Sequence, residues 1–373
     1  MKIILPLNYI DEFHYKRFKE QFAAYASKFD KVILAVRIGV RPKNDIKNLE
    51  IVFRTEVEAR KNRELSAAQK ARKYVSVLTG YNLMRRIKKQ RNVVKHFIDN
   101  GVDGDLVLSY SGHGLCQIFD CILAESLGIP AVYRMRGDGV KERNIYSGLS
   151  NRLIGNYYHF KSLEHYDMFI PIKEAYKQKL VNWNVPPRKI TNPVGLGVDV
   201  RAFKRFEYPE ELTIGFFGRI SAEKNIDFMF EVMRRTPNIN YIILGKNLLE
   251  VNNFPPNCKY LGYVHKDKMP LYYNMINVLI NPSLSEGVAN TVLEAYATKT
   301  PVIGSPETFA NCLPVYGYCL NVDRESVRVW VDVIKRLDSL ELKNIGDLAR
   351  NYAESNSWLK FAETMANTLK QVE

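Results

Sequence analysis

The chain has 373 residues, 46% of them hydrophobic, with 54 Lys+Arg against 40 Asp+Glu and a formal net charge of +14. At ~100–200 residues per domain, this length predicts two domains with ordinary cores. No apolar run approaches the ~18–20 residues of a membrane span, and five scattered cysteines with no C-x-x-C spacing give neither a disulfide framework nor a zinc site. The thiols read as reduced, as in a cytoplasmic protein, and residues 1–13 read as a first strand rather than a signal peptide.

The charge is uneven. Residues 1–200 hold 34 basic and 20 acidic side chains, so 34 − 20 = +14, and the whole excess lies in the first half. Residues 54–95 alone carry 13 basic and 3 acidic residues. Such a stretch suits an anionic membrane surface or a phosphorylated acceptor, or is a solvated face. Its only aromatics are Tyr74 and Tyr81, too few to stack bases, so no nucleic-acid partner is expected.

In chain order, candidate strands fall at 3–7, 32–36, 51–53, 106–110, 131–135 and 168–172, mostly separated by helix-length segments. Residues 59–100 read as one or two long basic helices broken near Thr79–Gly80. A Pro-rich and charged passage at 186–210 marks a boundary. The second half repeats the scheme, with strands at 213–218, 241–245, 259–263, 278–283, 301–305 and 316–320, then a closing helical run. The fold class is α/β: two Rossmann-like, doubly wound domains facing a central cleft. The expected domains are 1–195 on the acceptor side, 196–355 for the nucleotide, and a helix at 356–373 packing back on the first. Ligands of such sheets bind beyond the carboxyl ends of the strands.

Residues 281–305 carry the densest signal. A strand runs into Ser285–Glu286–Gly287, a helix follows from about Ala289 through Glu294, and a second strand begins at Pro301. The helix N-terminus just beyond a strand's end, with its unpaired N–H groups, is a ready anion site. Gly287 lets a ligand approach the backbone. Glu286 and Glu294 are placed to accept hydrogen bonds from hydroxyls. Alternatively, Ser283-x-x-Glu286 and Thr291-x-x-Glu294 are capping boxes, and both glutamates bond backbone donors. Upstream, Gly218–Arg219 follows a strand and Glu223–Lys224–Asn225 precedes a helix. Arg219 and Lys224 can clamp a diphosphate, a planar fork and a point charge.

Gly218–Arg219 with Glu223–Lys224–Asn225, the Glu286-x7-Glu294 pair, Gly197–Val198–Asp199 with Phe203, Leu261–Gly262–Tyr263–Val264 before Met269–Tyr272, and the Trp358–Phe361 helix together resemble the retaining glycosyltransferases of family 4, which have the GT-B fold. The resemblance covers roughly 195–373. It implies that Gly218, Arg219 and Lys224 bind the donor's diphosphate, that Glu294 holds the ribose, and that Glu286 meets the sugar near its anomeric centre. It further implies that the backbone N–H groups of Val288, Ala289, Asn290 and Thr291 hold phosphate oxygens and that Tyr263 and Val264 frame the base. The expected donor is a UDP- or GDP-sugar, with no cofactor and no metal in the chemical step. The expected acceptor is a glycan or lipid-linked hydroxyl. A GT-B-like nucleotide-sugar epimerase is the alternative.

The first half departs from that family. A Gly-rich loop after the first strand is missing, and the stretch Arg136–Gly137–Asp138–Gly139 stands where the family has a histidine. Arg136, touching a phosphate or a carboxylated sugar, or Asp138, orienting an acceptor hydroxyl, can take its place. His113, just after the strand at 106–110, is a further candidate. In the second half, Lys246 replaces a glycine and can reach phosphate or base. Peripheral attachment on the inner face of a membrane, through 54–95, completes the expectations.

Overall fold

The computed structural model describes residues 1–373 apart from 11, 40, 57–80, 111–113, 139, 141–148, 287, 310–312, 324, 325 and 373. The chain divides into two compact units, Met1–Val194 with Ala362–Glu373, and Gly195–Phe361.

The first unit runs β1 (Lys2–Ile10), α1 (Glu12–Ala26), β2 (Lys31–Gly39), β3 (Leu49–Glu56), α2 (Tyr81–Asp99), β4 (Leu106–Ser109), α3 (Gly114–Leu127), β5 (Ala131–Met135), α4 (Leu149–Leu163), β6 (Met168–Pro171) and α5 (Glu174–Asn182). Its sheet has the order β3-β2-β1-β4-β5-β6, and the described ladders are parallel. β4 and β5 are buried at every residue. That is what a parallel sheet covered on both faces requires, and why these strands read as continuous apolar runs rather than alternating ones.

The second unit runs β7 (Thr213–Phe217), α6 (Ile226–Arg235), β8 (Asn240–Leu244), β9 (Cys258–Tyr260), α7 (Met269–Tyr273), β10 (Val278–Asn281), α8 (Asn290–Ala297), β11 (Val302–Gly304), α9 (Pro306–Phe309), β12 (Gly317–Cys319), α10 (Val327–Lys335), α11 (Ser339–Ser355) and α12 (Trp358–Leu369), the last continuing into the first unit's share of the chain. Its parallel sheet has the order β12-β11-β10-β7-β8-β9. Helix α6 buries Ile226, Met229, Phe230 and Met233, one face at helical spacing, and α10 buries Val327, Trp330, Val331 and Ile334 in the same way. The two helices meet where Phe228 stands edge-on to Trp330 at 5.4 Å. Trp330 is fully buried and its indole N–H donates to the Asn321 carbonyl at 2.6 Å. Truncating such a side chain costs about 3–5 kcal/mol.

One expectation needs correction. The strand expected at 259–263 stops at Tyr260, because Leu261 N–H still bonds Ile243 but Gly262 then turns the chain with φ +73°. Of the helices expected over 59–100, α2 covers Tyr81–Asp99, and 57–80 lies outside the described residues.

Candidate functional site

In the second sheet the strand order reverses between β7 and β10, which pair through Val278–Ile214 and Leu279–Gly215. From β7 the chain winds outward through β8 and β9, and from β10 through β11 and β12. The loops leaving β7 and β10 therefore diverge, and a crevice opens at the carboxyl ends of both strands.

Backbone hydrogen bonds knit the loops at this edge. Gly218 N–H donates to Leu244 O at 2.8 Å, Ile220 N–H to Lys246 O at 2.8 Å, Leu248 N–H to Ile220 O at 3.0 Å, and Leu284 N–H to Glu223 O at 2.9 Å. The stitching requires glycine at 245. That residue has φ +141°, and a Cβ there would lie 1.7 Å from the Gly218 carbonyl oxygen. The post-β7 loop closes in a short 3-10 turn, Ala222–Lys224, ended by Asn225 in the left-handed region at φ 55°. Asparagine is among the few side chains that tolerate that conformation, and from it α6 starts.

This geometry brings Lys224 to Glu286. The two form an ion pair with each side chain 13% exposed, and Ser283 Oγ donates to the same Glu286 Oε1 at 2.9 Å. Ser283 also hydrogen-bonds Asn281 Oδ1, so a polar chain runs from the end of β10 to the Lys224 ammonium. Asn281 Nδ2 and Ser221 Oγ, both buried at this edge, have no partner among the described residues. Buried donors of this kind normally find an acceptor.

Eight residues beyond Glu286, Glu294 Oε2 accepts from the Tyr273 hydroxyl at 3.1 Å, and the same hydroxyl lies 3.1 Å from the Thr291 carbonyl. Tyr273 is fully buried, its ring edge-on to Phe217 and Phe203, and burial followed by the nearby Glu294 charge holds its proton on well above the usual pKa. Helix α8 begins at Asn290 with Ala289 at the N-cap and no side-chain cap. Helix geometry leaves its first N–H groups without intrahelical acceptors. The capping-box alternative therefore fails. A box needs Ser or Thr at the N-cap, whereas Thr291 is inside the helix and Ser283 bonds the Glu286 carboxylate.

The structure alters the expected Arg219–Lys224 clamp. Lys224 is anchored in the loop network, but Arg219 is 61% exposed and bonds Glu223 at 2.9 Å. Such a surface pair is worth about 0–1 kcal/mol, so Arg219 is an exposed, weakly held cation, whereas Lys224 is largely buried against Glu286. Gly218 sits against the Lys224 stem, 3.7 Å from Cε by its Cβ direction. Lys246 places its ammonium 5.3 Å from the Tyr263 ring centroid, and Val264 follows, half-buried. Val288 is half-buried and Ala289 buried at the head of α8. Gly287 lies outside the described residues.

The first-unit candidates form a separate group at the carboxyl edge of their sheet. Arg136, just past β5, stacks over Tyr110 (5.5 Å) and Phe18 (6.0 Å). Asp138 is 8% exposed and forms an ion pair with Lys179 of α5. His113 lies outside the described residues.

Several contributors went unnoticed in the sequence. Tyr273 is next to the singled-out Tyr272, and only the one-position shift in a short helix puts it inside. Asn281 had a usable signal, a polar residue ending an apolar strand, and Ser283 was read from the sequence only as a capping residue. Ser221 and Lys179 had none.

Comparison with known proteins places this geometry in a class. Residues 211–337, within the second unit, match the family described as Glycosyl transferases group 1. A capsular polysaccharide biosynthesis glycosyltransferase, CapM of Staphylococcus aureus, is 24% identical over 168 residues, 38% of this chain and 44% of that protein, so the match spans less than half of that relative. Among solved structures, Anabaena Alr3699/HepE in complex with UDP and glucose superposes with TM-score 0.69 at 13% identity, over 99% of both chains. Sucrose-phosphate synthase from Thermosynechococcus elongatus gives 0.74 at 15% identity, over 100% and 98%. The lipopolysaccharide galactosyltransferase WaaB gives 0.68 at 13% identity, over 99% of both. The fold is the GT-B type, two Rossmann-like units, and the family match falls within the second.

Proposed function

We propose that the protein is a retaining hexosyltransferase that moves a sugar from a nucleoside-diphosphate sugar to an acceptor hydroxyl on a lipid-linked, polysaccharide or other glycan. The observation that carries this reading is the half-buried Lys224–Glu286 pair, braced by Ser283 at the reversal point of a sheet whose domain matches group 1 glycosyltransferases. HepE with UDP and UDP-glucose supports a UDP-sugar donor, with GDP as the other candidate, and the capsule-synthesis relative supports a glycan acceptor. No observation favours the epimerase alternative.

In this reading Lys224, with Arg219 and the N–H groups heading α8 (Val288 to Thr291), holds the diphosphate. Positive charge fixed in advance stabilises the leaving nucleoside diphosphate as the glycosidic bond breaks. Gly218 lets the phosphates approach the loop backbone. Glu294, oriented by Tyr273, accepts from the ribose hydroxyls. Glu286 lies beside the phosphate-binding ammonium and faces the sugar. Lys246, Tyr263 and Val264 border the base. With no second carboxylate assigned as a nucleophile, the departing phosphate takes the acceptor's proton on the same face, and configuration is retained. In the first unit, Arg136 and Asp138 serve the acceptor, together with His113. Attachment is to the cytoplasmic face of an anionic membrane, through the basic stretch 54–95; no helix among the described residues is long and apolar enough to cross a membrane.

Titration calorimetry with UDP and GDP, followed by NMR of the product's anomeric proton, tests the reading. Binding of one nucleotide, lost in Lys224→Met, and a product with the donor's configuration are expected. Binding of neither nucleotide, or an altered sugar formed without acceptor, overturns it.

A further inference from the structure

In the first unit, α3 packs against α2 on one flank and α4 on the other, so the three helices form one layer over the sheet. The outward face of this layer is unusual for a protein surface in water. On α4, Leu153, Tyr157 and Phe160 are 64%, 56% and 40% exposed. Their i, i+4, i+7 spacing makes one stripe, while Tyr158, His159, Ser162 and Leu163 turn inward and are buried. Phe160 stands edge-on to Trp183, at the end of α5, at 5.6 Å. Contiguous exposure of this kind marks an interaction surface.

What lies beside the stripe indicates what it meets. Helix α2 has the sequence YNLMRRIKKQRNVVKHFID, strongly basic with Asp99 its sole acid. Arg91, Lys95 and Ile98 share its outward face and line a groove of about 330 Å³ with Ile122 and Glu125 of α3. Next to the stripe, Lys161 and Glu164 are 3.5 Å apart and cancel. The layer thus carries aromatic and aliphatic side chains at one flank and a cationic helix at the other. Cations matched to phosphate, with Tyr and Trp at the level where an apolar interior meets water, are the chemistry of an anionic lipid surface.

We propose that the α2–α3–α4 face is the membrane-docking surface. Leu153, Tyr157 and Phe160 enter the boundary between headgroups and acyl chains, and Arg91 and Lys95 lie on lipid phosphates. The proposal rests on the peripheral-membrane reading and adds to it an apolar insertion element well outside residues 54–95. Attachment is then only partly electrostatic. Salt weakens the contribution of α2 and leaves that of the stripe.

The test is co-sedimentation of the full chain with vesicles of phosphatidylcholine alone or mixed with phosphatidylglycerol, at low salt and at roughly 1 M, where the Debye length falls to ~3 Å. The wild type is expected to pellet with the mixed vesicles and to keep part of that binding at high salt. Combining Leu153→Ser, Tyr157→Ser and Phe160→Ser lowers partitioning about tenfold and removes the salt-resistant part. The single Leu153→Ser, at the most exposed position of the stripe, lowers it severalfold and stands in if the triple variant melts early. Arg91→Glu with Lys95→Glu lowers only the salt-sensitive part. A wild type that never pellets overturns both this surface and the peripheral reading. Serine variants that pellet like wild type overturn the stripe and leave the electrostatic attachment standing. A wild-type dimer that the triple variant dissociates, seen by light scattering, makes the stripe a contact between copies and overturns the proposal.

Discussion

The two sheets have the same strand order and place polar groups at the same carboxyl edge, yet they hold those groups by different means. In the second unit, hydrogen bonds between loop backbones lock the post-β7, post-β8 and post-β10 segments together, and Lys224, Glu286 and Glu294 hang from that lattice. In the first unit, side chains from distant parts of the chain hold one another. Arg136 lies on Tyr110 and Phe18, and Asp138 pairs with Lys179, 41 positions away. A site suspended on backbone hydrogen bonds constrains the residues at each loop position and so leaves a compact sequence signature. A site assembled from side-chain stacks can be built from many residue combinations and leaves none. The second kind also suits the partner that varies, since an acceptor differs between enzymes more than a nucleotide does.

Changing the lattice itself gives the largest expected effect. Gly245→Ala puts a methyl 1.7 Å from the Gly218 oxygen, at a φ that L-residues avoid, so the post-β7 and post-β8 loops separate. Nucleotide binding is expected to vanish in calorimetry, with stability lowered by about 1–3 kcal/mol from strain. Normal nucleotide affinity in this variant would show that the lattice does not hold the site.

Next comes the ion pair. Lys224→Met removes the fixed cation and leaves the Glu286 carboxylate 13% exposed and without its counter-charge. The cost in stability should not exceed the ~3–5 kcal/mol of a fully buried pair. Nucleotide affinity should fall at least tenfold, about the loss of one charged hydrogen bond of ~1.5–3 kcal/mol. Lys224→Met, Glu286→Gln and the double variant together separate the two roles. Glu286→Gln should spare UDP binding and reduce turnover, because it faces the sugar in this reading. Equal losses of UDP affinity in both single variants would contradict the division.

Smaller again is the effect of orienting Glu294. Tyr273→Phe keeps the ring against Phe217 and Phe203 and deletes only the hydroxyl that bonds Glu294 and Thr291. A hydrogen bond of about 0.5–1.5 kcal/mol corresponds to a roughly two- to twelvefold weaker UDP complex. The informative ligand is 2′-deoxy-UDP. If Glu294 holds the ribose, the wild type prefers UDP, and both Glu294→Ala and Tyr273→Phe narrow that preference, the deoxy form losing less affinity than UDP. A wild type indifferent to the 2′-hydroxyl refutes the ribose assignment; a Tyr273→Phe variant with undiminished preference refutes only the orienting role.

These differences explain what the sequence could disclose. The fold was legible because twelve short apolar runs alternate with helix-length segments, and a parallel sheet buried on both faces demands that composition. The candidate donor-side residues were legible because Gly218, Arg219, Lys224 and Glu286 lie in two loops directly after strands, where topology alone puts ligands, and Glu294 lies in the helix that follows the second loop. The pairing inside the site was not. Arg219 and Lys224 looked equivalent at a spacing of five, but the 3-10 turn and the left-handed Asn225 turn one into the crevice and leave the other in solvent. Tyr273 was hidden because one turn of helix decides whether it or Tyr272 is buried. Lys179 could not be found at all, since its partner Asp138 is on another element.

The smallest expected effect is also the sharpest test of the contrast between the units. Arg136→Ala should leave UDP affinity within about twofold of wild type, since no residue of the donor lattice lies in the first unit. Its loss removes a guanidinium from above two rings, a contact worth roughly 0.5–1 kcal/mol at a partly exposed site, so the fold should tolerate it. If Arg136 serves the acceptor, KM for acceptor rises while KM for donor does not. Arg136→Lys should restore little, because an ammonium cannot lie flat on Tyr110 and Phe18 as a guanidinium does. A fall in donor affinity equal to that of Lys224→Met would mean that both sheet edges serve the phosphate, and the division between a lattice-held donor site and a stacked acceptor site would have to be abandoned.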